Sequence, residues 1–229
     1  MSERDVRVGS HRNDAIDLNL SFSGPMKTAY SNLIDLELKA YFTYENMDFF
    51  YAPKVPPRNA FAEYFRRVKL AHRERAKKLM VMARENGWPF KIRLEGLPAK
   101  DFNWGYARFA FAAPKVMERE ILDAILLLSR RANQMKTTPI ISLTDGFLED
   151  QNRCLADVNL NLARLTRCNT SNNETIYNSY LAHLLTIENQ AKNDQHETKN
   201  ENGKNETNES GYDEIDDDDD EWTDIDDDE

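Results

Sequence analysis

Along most of this chain, apolar residues recur at the three- and four-residue spacing that gathers them on one face of an α-helix. Leu33, Leu36, Ala40, Tyr44, Met47 and Tyr51 form the first stripe. They predict a helix from about 26 to about 52, stopped by Pro53, Pro56 and Pro57. Phe61, Phe65, Val68, Ala76, Leu79 and Met82 predict a second, from about 58 to about 86, with Asn86-Gly87 as its C-terminal signal. Residues 87–103 contain two glycines and two prolines and read as a long connection. A third helix, about 104 to about 135, carries Ile121, Ile125, Leu128 and Ala132, with a kink expected near Pro114. The TTP at 137–139 opens a fourth, to about 168, with Ile140, Leu143, Phe147, Cys154, Val158, Leu162 and Leu165. A short fifth, about 174 to about 191, has Ile176, Tyr180, Leu184 and Ile187. Residues 1–24 show no period and read as a flexible arm.

Four helices of about 28 residues are each about 40 Å long. Their connections run short, long, short. The expectation is an all-α antiparallel four-helix bundle with one long crossover, occupying residues 25–191 together with the short fifth helix.

Each stripe is broken by a polar group where burial is expected. The first helix has Glu37, with Tyr44 two turns on; the second has His72 and Arg75. Glu118 lies in line with Ile121 and Ile125, and Gln151 in line with Phe147 and Val158. A charge in a buried stripe is costly unless paired. Polar groups on all four facing helices therefore point to one shared interior site, the arrangement by which di-iron carboxylate bundles hold metal.

The stretches LELKAYFTYENMDFF, FAEYFRR, RERAKKLM and FLEDQ, with Trp104 and the surroundings of Glu118, resemble the ferritins from about Leu33 to about Leu165. The fifth helix matches more weakly. The resemblance implies a ferritin-like fold and a subunit for iron storage and intracellular iron homeostasis in an oligomeric cage, formed with itself or other ferritin subunits. It also implies candidate metal residues: Glu37, Glu118 and Gln151 match the ligands of the iron-oxidising centre, with Tyr44 alongside. The second helix departs from the pattern. His72 stands where the bridging glutamate belongs and Arg75 where the histidine ligand belongs. A guanidinium cannot ligate iron.

Three readings of that departure stand side by side. In one, Arg75 bonds to Glu37, Glu118 or both, and a salt bridge replaces the metal, as in ferritin light chains. In another, Arg75 points outward and His72 is a satisfied core histidine. In the third, His72 ligates one iron in an altered centre. Weak or absent iron oxidation is expected, and no catalytic residue is assigned. The positions implied to line an iron channel are Ile141 and Thr144, both uncharged, with Asp145 nearby. The implied inner face of the second helix carries Lys69, Ala71 and Lys78, with Glu74 as its clearest acid.

The net charge of −10 over 229 residues hides an asymmetry. From Asp194 to Glu229 there are 18 acidic and 2 basic residues; the rest of the chain has 28 basic against 22 acidic. Residues 192–229 read as a disordered acidic tail. It could confer solubility, cover the basic body of its own or a neighbouring subunit, or recruit cations or basic partners, with Ile215, Trp222 and Ile225 as anchors. The alternative function is accordingly an interaction protein that keeps the bundle, lacks iron chemistry and acts through this tail. The N-terminus has no apolar targeting segment and no run spans a membrane, so a cytoplasmic protein is expected. Cys154 and Cys168, fourteen apart on one predicted helix, read as reduced thiols. No phosphate-binding glycine loop, zinc-finger spacing or nucleic-acid motif is present.

Overall fold

Gly24, at φ 55°, turns the chain into α1 (Pro25–Tyr51), which starts with a proline at its first position, where the missing N–H costs nothing. The computed structural model describes residues 22, 24–52, 59–168 and 171–203; of 59, 171, 172 and 191–203 it describes the backbone alone. The remaining helices are α2 (Asn59–Glu85), α3 (Ala107–Ala110), α4 (Ala112–Met135), α5 (Thr138–Thr166) and α6 (Ser171–Gly203). Among the described residues there is no strand. The fold is the expected all-α, ferritin-like helical bundle: α1 packs on α2 and α4, and α4 packs on α5.

α2 ends where the sequence predicts. Gly87 takes φ +65°, Trp88 N–H donates to Ala83 O at 2.8 Å and Gly87 N–H to Arg84 O at 3.2 Å, a Schellman closure. Trp88 is turned inward by it and stacks on Phe22 with ring centroids 4.4 Å apart. Phe22, within the segment expected to be a flexible arm, is buried there. Residues 1–21 and 23 of that arm, and the acidic tail from residue 204, lie outside the described residues.

The long crossover runs beside α1, held by its polar side chains. Ser31 Oγ accepts from Lys91 N–H, Asp35 Oδ1 from Arg93 N–H, and Asn46 donates to Ala99 O and Lys100 O. Trp104 belongs to this strap rather than to a helix: its indole N–H donates to Asn46 Oδ1 at 2.7 Å, and Gly105 at φ +62° separates it from α3. The third predicted helix is thus two pieces. The break falls at Phe111, between α3 and α4, because Pro114 has no N–H for the Ala110 carbonyl and its ring crowds that oxygen. Phe111 fills the break and packs on Phe61, Tyr64 and Phe65.

Lys136, at φ 54°, makes the tight turn between α4 and α5 with a second Schellman pair, Thr137 N–H to Ala132 O and Lys136 N–H to Asn133 O. The chain divides into two compact units, Met1–Leu185 and Thr186–Glu229. Within the first, the early part of α6 closes the bundle: Tyr177, Leu181 and Leu185 are buried, and Asn178 Oδ1 accepts from Phe61 N–H at the start of α2. Glu174 accepts from Ala107 N–H at the start of α3. α6 extends past the predicted short helix to Gly203. Apolar periodicity cannot see that extension, since residues 188–203 are almost entirely polar.

Candidate functional site

Two turns separate Glu37 from Tyr44 on α1, so both side chains leave the same face. His72 and Arg75 are one turn apart on α2, as are Gln151 and Cys154 on α5; α4 adds Glu118. All of these converge. Glu37, Tyr44, His72, Glu118 and Gln151 have no solvent exposure, and Arg75 has 5%. The reading in which Arg75 points outward is overturned by that burial.

The contacts form a closed network. Arg75 Nε donates to Glu37 Oε1 at 2.9 Å, and its Nη2 donates to Gln151 Oε1 at 2.9 Å. His72 Nδ1 lies 2.7 Å from Glu37 Oε2, and Nε2 lies 3.0 Å from Glu118 Oε1. Tyr44 O–H donates to Glu118 Oε1 at 2.6 Å. Gln151 Nε2 donates to Glu118 Oε2 at 2.6 Å and to the Glu118 carbonyl at 2.9 Å. Every oxygen of both carboxylates thus faces a protein donor. Arg75 reaches Glu37 alone; the cation facing Glu118 is His72.

The electrostatics follow from this geometry. Burial alone would push Glu118 upward, but the His72 charge and the donors His72, Tyr44 and Gln151 outweigh it and hold the carboxyl down to about 2. Burial alone would lower His72, yet Glu118 and the bonds to both glutamates raise it well above its ordinary value. His72 is therefore an imidazolium with a proton on each ring nitrogen, bridging Glu37 and Glu118. Its Nδ1 also lies 2.9 Å from Arg75 Nη2, and the Glu37 carboxylate bonds both residues, through Oε2 to His72 Nδ1 and through Oε1 to Arg75 Nε. Two anions and two cations cancel, the condition under which so buried a charge cluster is tolerable. Tyr44 is raised well above its usual range, first by burial and then by Glu118.

Sequence reasoning missed Cys154, which it placed in the apolar stripe and gave no chemical context. The thiol lies at the site, and ligand atoms of His72, Glu118 and Cys154 all fall within 4.8 Å of one another. Burial pushes its pKa upward. Its position one turn after Gln151 was the available signal. Two further expectations change. Thr144, expected at a channel, is buried and bonds back to Ile140 O at 2.9 Å and Ile141 O at 3.0 Å. Lys69, expected on an open basic face, instead bonds Asp48 at 2.9 Å and Glu45 on α1.

As an iron centre the site does not fit. Binding two irons needs carboxylate oxygens and imidazole lone pairs facing an open space. Here those oxygens are engaged by donors, and a guanidinium stands among them.

No family model matches the chain. It is 24% identical over 169 residues to the ferritin light chain of Oryctolagus cuniculus, covering 73% of this chain and 94% of that protein. It is also 24% identical over 149 residues to ferritin light chain 1 of Rattus norvegicus, covering 64% of this chain and 80% of that one. These similarities support a distant ferritin-like relationship over most of the chain.

Proposed function

We infer that this chain is a ferritin-like subunit for iron storage and intracellular iron homeostasis, assembling with itself or with other ferritin subunits in a cage and contributing little or no iron oxidation. The observation that carries this reading is the Glu37–His72–Glu118 bridge with Arg75 on Glu37. It neutralises from within the protein the two carboxylates that metal neutralises in an oxidising subunit. The salt-bridged cluster replaces the metal centre and ties the helices together across the bundle, so the subunit's contribution is structural. Iron is cargo here, held by the assembled particle rather than by these six residues. Similarity to ferritin light chains supports the choice of partner class. No described helix is long and apolar enough to cross a membrane, and the reading places the particle in the cytoplasm.

The test is iron oxidation by the purified full chain, alone and mixed with an iron-oxidising ferritin subunit, with particle mass followed by light scattering. The reading expects a large particle, alone or on mixing, with oxidation that follows the partner's content. A chain that stays monomeric or dimeric in both settings, or one that oxidises Fe²⁺ rapidly by itself, overturns it. Mixing His72→Glu with Arg75→His in one chain asks whether those two positions alone block oxidation: a rise is expected.

A further inference from the structure

A groove of about 290 Å³ opens between the first turns of α1 and the crossover, and it shares no residue with the buried charge cluster. Lys27, Ser31, Asn32 and Asp35 line it from α1, Lys91 and Arg93 from the crossover. We propose that this groove binds a short chain of phosphate groups, a di- or triphosphate. The site stands independently of iron storage and of cage assembly.

Two backbone bonds fix its geometry. Ser31 Oγ accepts from Lys91 N–H at 3.3 Å, and Asp35 Oδ1 accepts from Arg93 N–H at 2.6 Å. Ser31 and Asp35 are successive steps on one helical face, about 6 Å apart along the axis, and Lys27 lies one such step earlier. The bonds therefore set the three cation-bearing residues in a row along α1 rather than around a point.

Three cations in the groove stand against one carboxylate, and none of the three side chains has an ion-pair or hydrogen-bond partner among the described residues. Arg66, Arg67 and Lys69 on α2, by contrast, are each paired with carboxylates. Ser31 Oγ, accepting from Lys91, keeps its own proton to donate, and the Asn32 amide is unbonded among the described residues. The Thr28 hydroxyl is already committed to Gly24 O at 3.2 Å. The free groups of the groove are thus mostly donors, the complement of phosphate oxygens.

Every described side chain that lines the groove is polar. It offers no aromatic face to a nucleobase and no apolar wall to an acyl chain, so a ligand is recognised through its anionic groups alone. A row of cations favours a chain of anions over one tetrahedral ion, and the Arg93 guanidinium can take two oxygens of one phosphate. Asp35 opposes binding by its charge. Asp35→Asn removes that charge and keeps the acceptor for Arg93 N–H.

The full chain is titrated calorimetrically with inorganic triphosphate, diphosphate and orthophosphate, and with ATP, in the absence of divalent metal. One saturable equivalent per chain is expected, tightest for triphosphate and weakest for orthophosphate. ATP should match triphosphate within about 3-fold, because the base finds no stacking partner. Lys27→Gln, Lys91→Gln and Arg93→Gln should each weaken binding about 5-fold, the loss of one partly exposed charge pair. Asp35→Asn should tighten it, and Lys78→Gln on α2 should leave it unchanged. These substitutions keep both backbone bonds of the crossover, so the groove survives them. Binding that does not saturate, equal affinity for the three inorganic anions, or an equal loss in Lys78→Gln and Lys91→Gln overturns the site in favour of diffuse attraction to a basic surface. Binding of ATP without binding of triphosphate overturns the phosphate chain as the recognised group.

Discussion

His72 Nε2 stands 3.0 Å from Glu118 Oε1, a contact between α2 and α4 made in full burial. It joins helices that lie on opposite sides of the long crossover and meets the charge of Glu118 where Arg75 does not reach. Removing the imidazole leaves Glu118 without a cation. His72→Ala should therefore destabilise the fold by about 3–5 kcal/mol in urea denaturation, the range for breaking one side of a buried ion pair. A loss below about 1 kcal/mol, typical of exposed pairs, would show that the bridge is solvated.

Acid should expose the same contact. The folded Glu118 pKa is about 2 against an ordinary 4.5, so its contribution is present above the ordinary value and is lost as pH falls through the folded one. Metal-free protein should lose stability steadily between about pH 4.5 and about pH 2. His72 has the opposite sign: its raised pKa contributes fully below the ordinary 6.5 and is lost as pH rises through the folded value. Urea midpoints for Glu118→Gln should show a shallower acid slope than the unsubstituted chain; parallel slopes would place the titration elsewhere.

Lys136 occupies the left-handed region at φ 54° in the α4–α5 turn, a conformation costing a non-glycine residue about 1 kcal/mol. Lys136→Gly should raise stability by up to that amount in thermal or urea unfolding. An unchanged or lowered midpoint would mean that glycine's greater unfolded-state freedom cancels the relief.

Asn178 on α6 accepts from Phe61 N–H, one of the first-turn amides of α2 that has no intrahelical partner. Asn178→Ala should cost about 0.5–2 kcal/mol, the range for losing a helix cap. Hydrogen exchange should locate the effect at the start of α2; a uniform change through the bundle would contradict a local capping role.

Much of the bundle was legible because apolar period and helix punctuation agree along it. Asn86-Gly87 and the TTP at 137–139 mark ends that the structure places within a residue or two of expectation. Trp104 was misplaced because a tryptophan in a strap bonded to Asn46 and one opening a helix have the same local sequence. The extent of α6 was missed because a polar helix has no stripe to read. At the site, the polar interruptions at Glu37, His72, Arg75, Glu118 and Gln151 on four helices announced burial and a shared interior, and resemblance supplied the roles of the matching positions. How the bonds are shared out was not legible: helical spacing places side chains on a face but does not say which glutamate an arginine reaches. Cys154 stayed hidden for a related reason, since a half-buried thiol in an apolar stripe looks like ordinary packing.

The long crossover between α2 and α3 also orders events in time. α1 with α2, and α4 with α5, are neighbours in sequence and can form as hairpins from local contacts at small entropic cost. Glu37, His72 and Arg75 belong to one hairpin, Glu118, Gln151 and Cys154 to the other. Neither half can complete the cluster until the two dock. Substitutions there should act mainly on the rate at which the folded chain opens and leave refolding nearly unchanged, so the buried charges govern how long the bundle lasts more than how fast it forms.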